Sequence, residues 1–404
     1  MSSRNHLPTR QQLAIGVACA SGMLLSQLAH ADISDTIKPF AQVSIAHDDN
    51  LLRLRDGETS DGERSDTYKT VTGGFFLERP IGQQLITGRA LFSRVKFDKF
   101  TQLDYNSKDI LLAANWHILS HLSGNVGVSY NETLAPYSDF HSDERNLRTQ
   151  RKAYWDGAWQ FHPSWQVRGA VSREKFDYDL FIQRFNTRTE DAAEVGFDYL
   201  PATGSRFGLV ARRLKGTYDN VLTIGGFTFD NRYVQDEIKA NVYWIMSGHT
   251  RLQFLGGWER RDHPQQNRSD SGTNGRMIMT WTPTGKLNVV GSAWREFSAY
   301  EGTTIRSSLN KGVSLKTVWN ATAKVSANVL LRDEKRDFDT ANTTLAGIAL
   351  DDNTRTAQVG LSYAPQQRVV LSLNAFREQR TGTNNPAVTT FKANGASFNA
   401  SVQF

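Results

Sequence analysis

Apolar and polar positions alternate along many short segments of this chain. In the final segment, Phe398, Val402 and the terminal Phe404 share one face with small apolar residues, whereas the other face is small and polar. The same alternation recurs upstream, for example from Ile110 to Ile118 and from Val234 to Trp244. A period of two indicates a β-strand with one apolar face. The pattern therefore predicts an all-β protein.

Short breaks rich in Pro, Gly, Asn and Ser separate pairs of predicted strands. These predicted tight turns are Pro80 to Gln83, Leu119 to His121, His162 to Ser164, Pro201 to Gly204, Ser247 to His249, Pro283 to Gly285, Asn320 to Thr322 and Ala364 to Gln367. Longer, charged connections alternate with them. They include Arg53 to Arg64, Pro136 to Asn146, Asp219 to Asn231, Asp262 to Thr273, Asp337 to Asp351 and Arg380 to Thr390.

Short turns at one end of a sheet and long loops at the other are typical of transmembrane β-barrels. If both termini lie on the short-turn side, eight turns join sixteen strands, and one more strand at each end makes eighteen. The sequence thus predicts a transmembrane antiparallel up-and-down β-barrel of about 18 strands. A soluble propeller or sandwich pair has similar strand spacing. The polar second face of most strands needs water beside it, which favours the barrel.

Aromatic residues fall within a few residues of the tight turns. They are Trp116, Phe161, Trp165, Tyr199, Trp244, Trp281, Trp319 and Tyr363. Aromatic side chains concentrate at both membrane interfaces of transmembrane barrels. We interpret these residues as a periplasmic girdle.

The N-terminus has the features of a secretory signal peptide. Arg4 and Arg10 precede an apolar stretch from Leu13 to Leu28, and the triplet Ala29-His30-Ala31 follows. This order of segments predicts export and cleavage after Ala31. We expect a signal peptide at 1–31 and a mature barrel at 32–404, located in the cell outer membrane.

Composition excludes some classes of protein. The single cysteine, Cys19, lies in the signal region, so no disulfide is expected in the mature chain. Removing two of the 47 basic residues with the signal leaves 45 against 41 acidic residues, a net charge of +4. The basic residues are spread along the chain rather than concentrated, so nucleic-acid binding is not expected.

No motif in the chain indicates an enzyme, a metal or a cofactor. His117, His121, His162 and His249 fall at or near tight turns, where interfacial histidines are expected. Acidic pairs such as Asp48-Asp49 and Asp351-Asp352 are interpreted as solvated carboxylates at strand ends, because neither has the ligand spacing of a calcium site.

Strand parity predicts that many charged residues face the barrel interior. The basic candidates for solute selectivity are Arg168, Arg206, Arg212, Lys239, Arg251, Lys316, Lys324 and Arg332. Acidic residues predicted on the same face are Asp156, Glu194, Asp198 and Glu237. Two interpretations remain open. The charges either neutralise one another across a wet interior, or the cations select an anionic or hydroxyl-rich solute.

Aromatic residues also occur in the predicted loops. They are Tyr137, Phe140, Phe181, Phe185, Phe227 and Phe229. Packing within folded loops is the expected role, and a stacking platform for sugar rings is the alternative.

The first half of the chain resembles one family of outer-membrane proteins. Phe40 to Arg55, with its Asp-Asp-Asn-Leu-Leu-Arg core, is similar to the first strand of EpsL-like exosortase-associated exopolysaccharide biosynthesis outer-membrane proteins of the β-barrel porin type. The resemblance continues through Phe97 to Phe100, Leu103 to Tyr105, Trp116, and Trp159 to Trp165. It implies a product of a polysaccharide synthesis and export locus.

We therefore expect a non-enzymatic outer-membrane channel, or accessory barrel, for export of an extracellular polysaccharide. A general diffusion porin for small solutes, with anions as one option, is the alternative in the same class. An outer-membrane hydrolase and a structural or adhesive barrel are alternatives of other classes. Expected partners are outer-membrane lipid and the barrel assembly machinery, which is expected to recognise Phe398, Val402 and Phe404. Polysaccharide and other export-locus proteins are further expected partners.

Overall fold

The computed structural model describes residues 36–224, 227–264, 268–299, 305–340, 350–383 and 388–404. The predicted signal peptide at 1–31 lies outside these ranges and stays a prediction. Within the described residues, no helix has the length and apolar character that a membrane-spanning helix requires.

Eighteen long strands form a single antiparallel sheet. The first nine are β1 (Ile37–Asp48), β2 (Asp66–Ile81), β3 (Gln84–Phe97), β4 (Tyr105–Ile118), β5 (Leu122–Leu134), β6 (Leu147–His162), β7 (Trp165–Tyr178), β8 (Arg188–Tyr199) and β9 (Arg206–Tyr218). The second nine are β12 (Tyr233–Ser247), β13 (Thr250–His263), β14 (Arg268–Thr284), β15 (Leu287–Ala299), β16 (Ile305–Asn320), β17 (Val325–Thr340), β18 (Leu350–Gln366), β19 (Val369–Gly382) and β20 (Phe391–Gln403).

Three minor elements lie in the connections. A two-stranded hairpin, β10 (Leu222–Ile224) with β11 (Phe227–Phe229), lies between β9 and β12. Short 3-10 segments occupy Thr101–Leu103 and Phe181–Asn186.

The sheet closes on itself. Each long strand pairs with the next one along the chain, β9 pairs directly with β12, and β1 pairs with β20 from Phe40 opposite Gln403 to Asp48 opposite Gly395. Closure leaves no sheet edge with unpaired backbone groups, as a membrane-spanning sheet requires. The predicted 18-strand barrel is confirmed.

The eight short turns lie where the sequence predicts them, and both chain ends lie on their side of the barrel. One predicted loop, Asp262 to Thr273, is wrong in its extent, because residues at both of its ends belong to strands. There β13 continues to His263 and β14 begins at Arg268, and the two strands pair up to His263 opposite Arg268. The reason is physical. Beyond the membrane both faces of a strand contact water, so the apolar alternation disappears although the backbone pairing continues.

The outer surface carries the apolar face of the strands. Val359 and Leu361, for example, are 55% and 51% exposed, whereas Gln358 between β17 and β19 turns inward and is partly buried. The predicted girdle residues lie on this outer face near the short turns, with Trp116 stacked on Trp155 at a ring-centroid distance of 6.1 Å. A band of exposed apolar side chains around a closed sheet is stable only in a bilayer.

The two faces of β18 predict opposite responses to the same new charge. We expect Val359→Arg to destabilise the barrel by about 2–4 kcal/mol, since an arginine near the bilayer midplane contacts hydrocarbon. Gln358→Arg, the matched change one residue away, places the charge in the polar interior and should cost much less. Urea unfolding in lipid vesicles measures both. Equal destabilisation by the two variants would contradict the assigned orientation of the strand.

Candidate functional site

Charged side chains line the inside of the barrel. The strand pattern puts seven of the eight basic candidates on the inward face of a strand. These seven are Arg168, Arg206, Arg212, Lys239, Arg251, Lys316 and Arg332. The prediction for the eighth, Lys324, is wrong: this residue lies in the short turn between β16 and β17, where strand parity no longer applies, and is exposed at the short-turn rim.

Four of these cations form ion pairs with neighbouring carboxylates. The nitrogen-to-oxygen distances are 3.1 Å for Arg168 with Asp198, 3.4 Å for Arg212 with Glu237, 2.8 Å for Lys239 with Glu237 and 2.7 Å for Arg332 with Glu334. Lys239 is 2% exposed, and its ammonium also lies 3.7 Å from Glu259. A buried charge needs such partners because desolvation penalises it strongly. These cations are neutralised within the wall.

The other four cations, Arg206, Arg251, Lys316 and Lys324, make no side-chain hydrogen bond or ion pair with any described residue. All lie within a few residues of a short turn, so Arg206, Arg251 and Lys316 line the short-turn half of the interior and Lys324 lies at its rim. Arg251 and Lys316 lie at the same height in the sheet, because Arg251 is opposite Thr280, Thr280 is opposite Val290, and Val290 is opposite Lys316. Three strand spacings separate them, which is about 14 Å along the wall. Arg251 and Lys316 thus form an arc of positive charge without an acidic partner among the described residues, whereas the carboxylates of Asp198 and Glu194 act electrostatically on Arg206.

An inward tryptophan that the sequence reasoning missed stands higher in the interior. Trp294 on β15 is 7% exposed, and its Nε1 donates a hydrogen bond to Glu334 at 2.8 Å. The guanidinium carbons of Arg332 and Arg276 lie 4.6 Å and 5.2 Å from its ring centroid. Such cation–π contacts hold arginine side chains in place. The available signal was parity, which turns Trp294 inward, whereas the girdle tryptophans turn outward.

The loop after β1, residues 49–65, folds back over the long-loop end of the barrel, which we expect to be extracellular. Arg53 is 3% exposed; its Nη1 donates to Asp48 at 2.8 Å and its Nε donates to Glu378 at 3.1 Å. Beside it, Leu52 packs with Phe100 in a small apolar core. The interpretation of Asp48 as a solvated carboxylate is therefore wrong, because this ion pair buries it.

The loop after β5, residues 135–146, also extends across this end. The Oδ1 atom of Asp139 accepts hydrogen bonds from Arg336 on β17 at 2.9 Å and Arg380 on β19 at 3.4 Å. The same two arginines bind Asp352, which is 2% exposed and thus also not a solvated carboxylate. Seven strands separate β5 from β17 when counted through β1, so the loop reaches the roughly opposite wall. It narrows the extracellular entrance.

Charge and burial oppose each other in this loop. Burial by itself would raise the pKa of Asp139, but Arg336 and Arg380 outweigh it and hold that pKa below its usual value. Burial lowers the pKa of His141. A hydrogen bond between its Nδ1 and the carbonyl oxygen of Leu52, at 2.9 Å, acts in the opposite direction but is outweighed. At neutral pH the loop is therefore fastened by an ionised carboxylate.

The remaining candidates are the aromatic residues of the loops and the histidines. Tyr137 packs against the apolar core of the loops, and Phe185 is buried, so both serve packing, whereas Phe181 is 82% exposed. Phe140 is partly buried, and the side chains of Phe227 and Phe229 lie outside the described residues. Of the histidines, His117 is the penultimate residue of β4 and His162 ends β6, whereas His121 and His249 lie in turns. Within the described ranges, no group of three His, Cys, Asp or Glu side chains could hold a metal ion.

A closed barrel with an apolar exterior, an aromatic girdle and a charged interior defines an outer-membrane protein of the porin-like class. No protein-family model matches the chain, and no curated protein sequence matches it. Solved structures do match, at 10% identity. They include Acinetobacter baumannii OccAB3, with a TM-score of 0.50 over 91% of this chain and 99% of that one.

Two further solved structures match at the same identity and over a similar share of the chain. Pseudomonas aeruginosa OccK1 (OpdK) gives a TM-score of 0.51 over 91% of this chain and 99% of that one, at 10% identity. A BenF-like porin from Pseudomonas fluorescens Pf-5 gives 0.50 over 92% and 99%, also at 10% identity. This similarity shows a shared barrel fold. None of the comparisons supports the EpsL-like resemblance.

The loop contacts predict a larger pore when Asp139 is neutralised. In Asp139→Asn, Arg336 and Arg380 lose a charged partner, and breaking such a mostly buried pair costs about 3 kcal/mol. We expect single-channel conductance to rise. The pKa of Asp139 is depressed, so its contribution is complete above the unfolded value near 4 and is lost as pH falls through the folded value.

Acidification of the unmodified protein through the depressed pKa of Asp139, which lies below the usual value near 4, should therefore reproduce the effect of the variant. The matched control is Glu144→Gln, which removes an exposed carboxylate from the same loop. A change in conductance that is equal in both variants would contradict the role of Asp139.

Proposed function

We propose that this protein is an outer-membrane channel for small solutes that favours anions. The observation that carries the proposal is the pair of inward cations Arg251 and Lys316, which make no side-chain hydrogen bond or ion pair with any described residue. Arg206 on an inward face and Lys324 in a short turn lie at the same end of the barrel. The porin-like fold supports a channel, and these charges support its preference.

The preference follows from electrostatics in a narrow aqueous space. A wall with charge of one sign and low dielectric raises the local concentration of the opposite ion. Screening acts over about 8 Å at physiological salt, so cations about 14 Å apart at the same height in the sheet influence most of the space beside them. Paired cations such as Arg212 and Lys239 contribute little because their carboxylates cancel their field. Small carboxylates and other compact anions fit this description best.

Polysaccharide export is the second candidate, and the loops argue against it. Residues 49–65 and 135–146 close over the extracellular end through Arg53 and Asp139. A folded polymer needs a wider exit than a small ion. Among the matched structures, the one from P. fluorescens is described as a porin. We therefore rank the small-solute channel first and propose no catalytic role.

Assembly into the membrane is part of the proposal. Phe398 and the terminal Phe404 point outward and are 45% and 58% exposed, with Val402 on the same face of β20. An accessible apolar face on the last strand suits recognition by the barrel assembly machinery and subsequent contact with lipid.

Reversal potentials test the selectivity. Under a KCl gradient across a planar bilayer, we expect the refolded mature chain to conduct and to prefer chloride. Arg251→Glu combined with Lys316→Glu should move the reversal potential toward cation preference, because two unpaired interior charges change sign.

The matched control is Lys215→Glu with Arg377→Glu, two unpaired cations on the outer faces of β9 and β19. This control leaves the interior charge unchanged and should leave the potential unchanged. A cation-selective parent, or equal shifts in both double variants, would contradict the proposal.

A further inference from the structure

The outer wall above the apolar belt carries many charged residues, and most of its cations are paired. The distance from the arginine Nε to the aspartate Oδ1 is 2.6 Å for Arg173 with Asp191 and also 2.6 Å for Arg213 with Asp236. Further outward pairs are Lys69 with Asp98, Arg260 with Asp262, Lys335 with Asp351 and Arg355 with Asp333. On most of the circumference this surface is therefore close to neutral.

The sector formed by β3 to β6 is different. Arg94 and Lys96, both exposed on the outward face of β3, make no side-chain hydrogen bond or ion pair with any described residue. Arg145 donates only to the backbone carbonyl of Asp104, at 3.4 Å. Lys108 pairs with Glu132 at 3.2 Å and remains 45% exposed. We call Arg94, Lys96, Lys108 and Arg145 the outer basic patch.

The patch surrounds a recess rather than a flat surface. A cavity of about 320 Å³ is lined by Arg94, Lys108 and Arg145, together with Asn106 and Glu132. Three cations and an amide line this recess beside two carboxylates, so the cations are in excess by one. Glu132 is already bound to Lys108, and the Oδ1 atom of Asp104 accepts a hydrogen bond from the backbone N–H of Phe97. A tetrahedral anion with several acceptor oxygens complements such a set of donors.

The height of the patch on the barrel identifies the kind of anion. Lys108 is paired across the sheet with Phe92, which is 51% exposed, and the next outward residue below it, Ile110, is also exposed. The patch therefore stands directly above the apolar belt on the extracellular side. Lipid phosphates occupy this level, where they attract basic residues at the membrane surface.

An apolar groove lies beside the patch, in the same wall. Its volume is about 640 Å³, and Val128, Ala153, Trp155, Val171 and Ala193 are among the residues that line it. Arg173, Asp191 and Arg213 also line it, and each of them is held in an ion pair. Small side chains between large ones make the depression, and the groove begins at β5, the strand that also carries Glu132 of the recess. A lipid whose phosphate enters the recess can lay an acyl chain along this groove.

We propose that the outer basic patch and the adjoining groove bind a phosphate-bearing glycolipid of the outer leaflet. Arg94, Lys108 and Arg145 contact its phosphate, Lys96 adds charge, and the groove receives an acyl chain. The site lies on the outside of the barrel and does not depend on the proposed channel function.

The test uses native mass spectrometry of the folded mature chain in detergent, with diphosphorylated lipid A as the probe. We expect Arg94→Glu with Lys96→Glu to lower retention of the lipid by about tenfold or more, since each surface cation contributes to the attraction. Lys215→Glu with Arg377→Glu makes the same charge change elsewhere on the outer wall and should retain the lipid. Heat-modifiable migration confirms that both double variants are folded.

Two further arms identify what is recognised. The unmodified protein should retain enzymatically dephosphorylated lipid A only weakly, to about the extent that the Arg94/Lys96 double variant retains the diphosphorylated lipid. Millimolar inorganic phosphate should not displace the diphosphorylated lipid from the unmodified protein. Equal retention by the two double variants, or equal retention of the dephosphorylated lipid, would overturn the proposal. A stable oligomer that buries the groove and excludes the lipid would also overturn it.

Discussion

Backbone hydrogen bonding in a medium without water is the constraint on which this structure depends. A bilayer leaves no partner for an unpaired N–H or C=O group, so the sheet must close, and here β1 pairs with β20 to close it. Closure then fixes the orientation of every side chain, because neighbours in a strand point to opposite faces. The apolar belt, the girdle and the charged interior all follow from this one requirement.

Within that frame, charge divides the interior into two parts. Toward the extracellular end, Arg53, Arg336 and Arg380 are each bound by buried carboxylates, and two loops are held by the same contacts. Buried ion pairs of this kind contribute geometry more than stability. Toward the periplasmic end, Arg251 and Lys316 remain uncompensated. The first part shapes the entrance, and the second carries the charge on which the proposed anion preference rests.

Strand periodicity made the barrel predictable from the sequence, but the loops were not predictable. Each short turn and the orientation of Val359 or Phe398 follow from residues adjacent in the chain. By contrast, Arg53 binds Glu378 across 325 positions, and Asp139 binds Arg336 across 197. No local pattern marks such partners, so Asp48 and Asp352 looked like solvated carboxylates. Parity also predicted inward cations without indicating which of them would be neutralised.

The central claim is that the interior is a passage for small anions and excludes polymers. Liposome swelling tests it most directly, with the mature chain reconstituted and exposed to small carboxylates, to neutral sugars of equal size and to longer oligosaccharides. The account predicts that carboxylates enter faster than neutral sugars of the same size and that long oligosaccharides do not enter. Rapid entry of long oligosaccharides, or equal rates for charged and neutral solutes of one size, would contradict it.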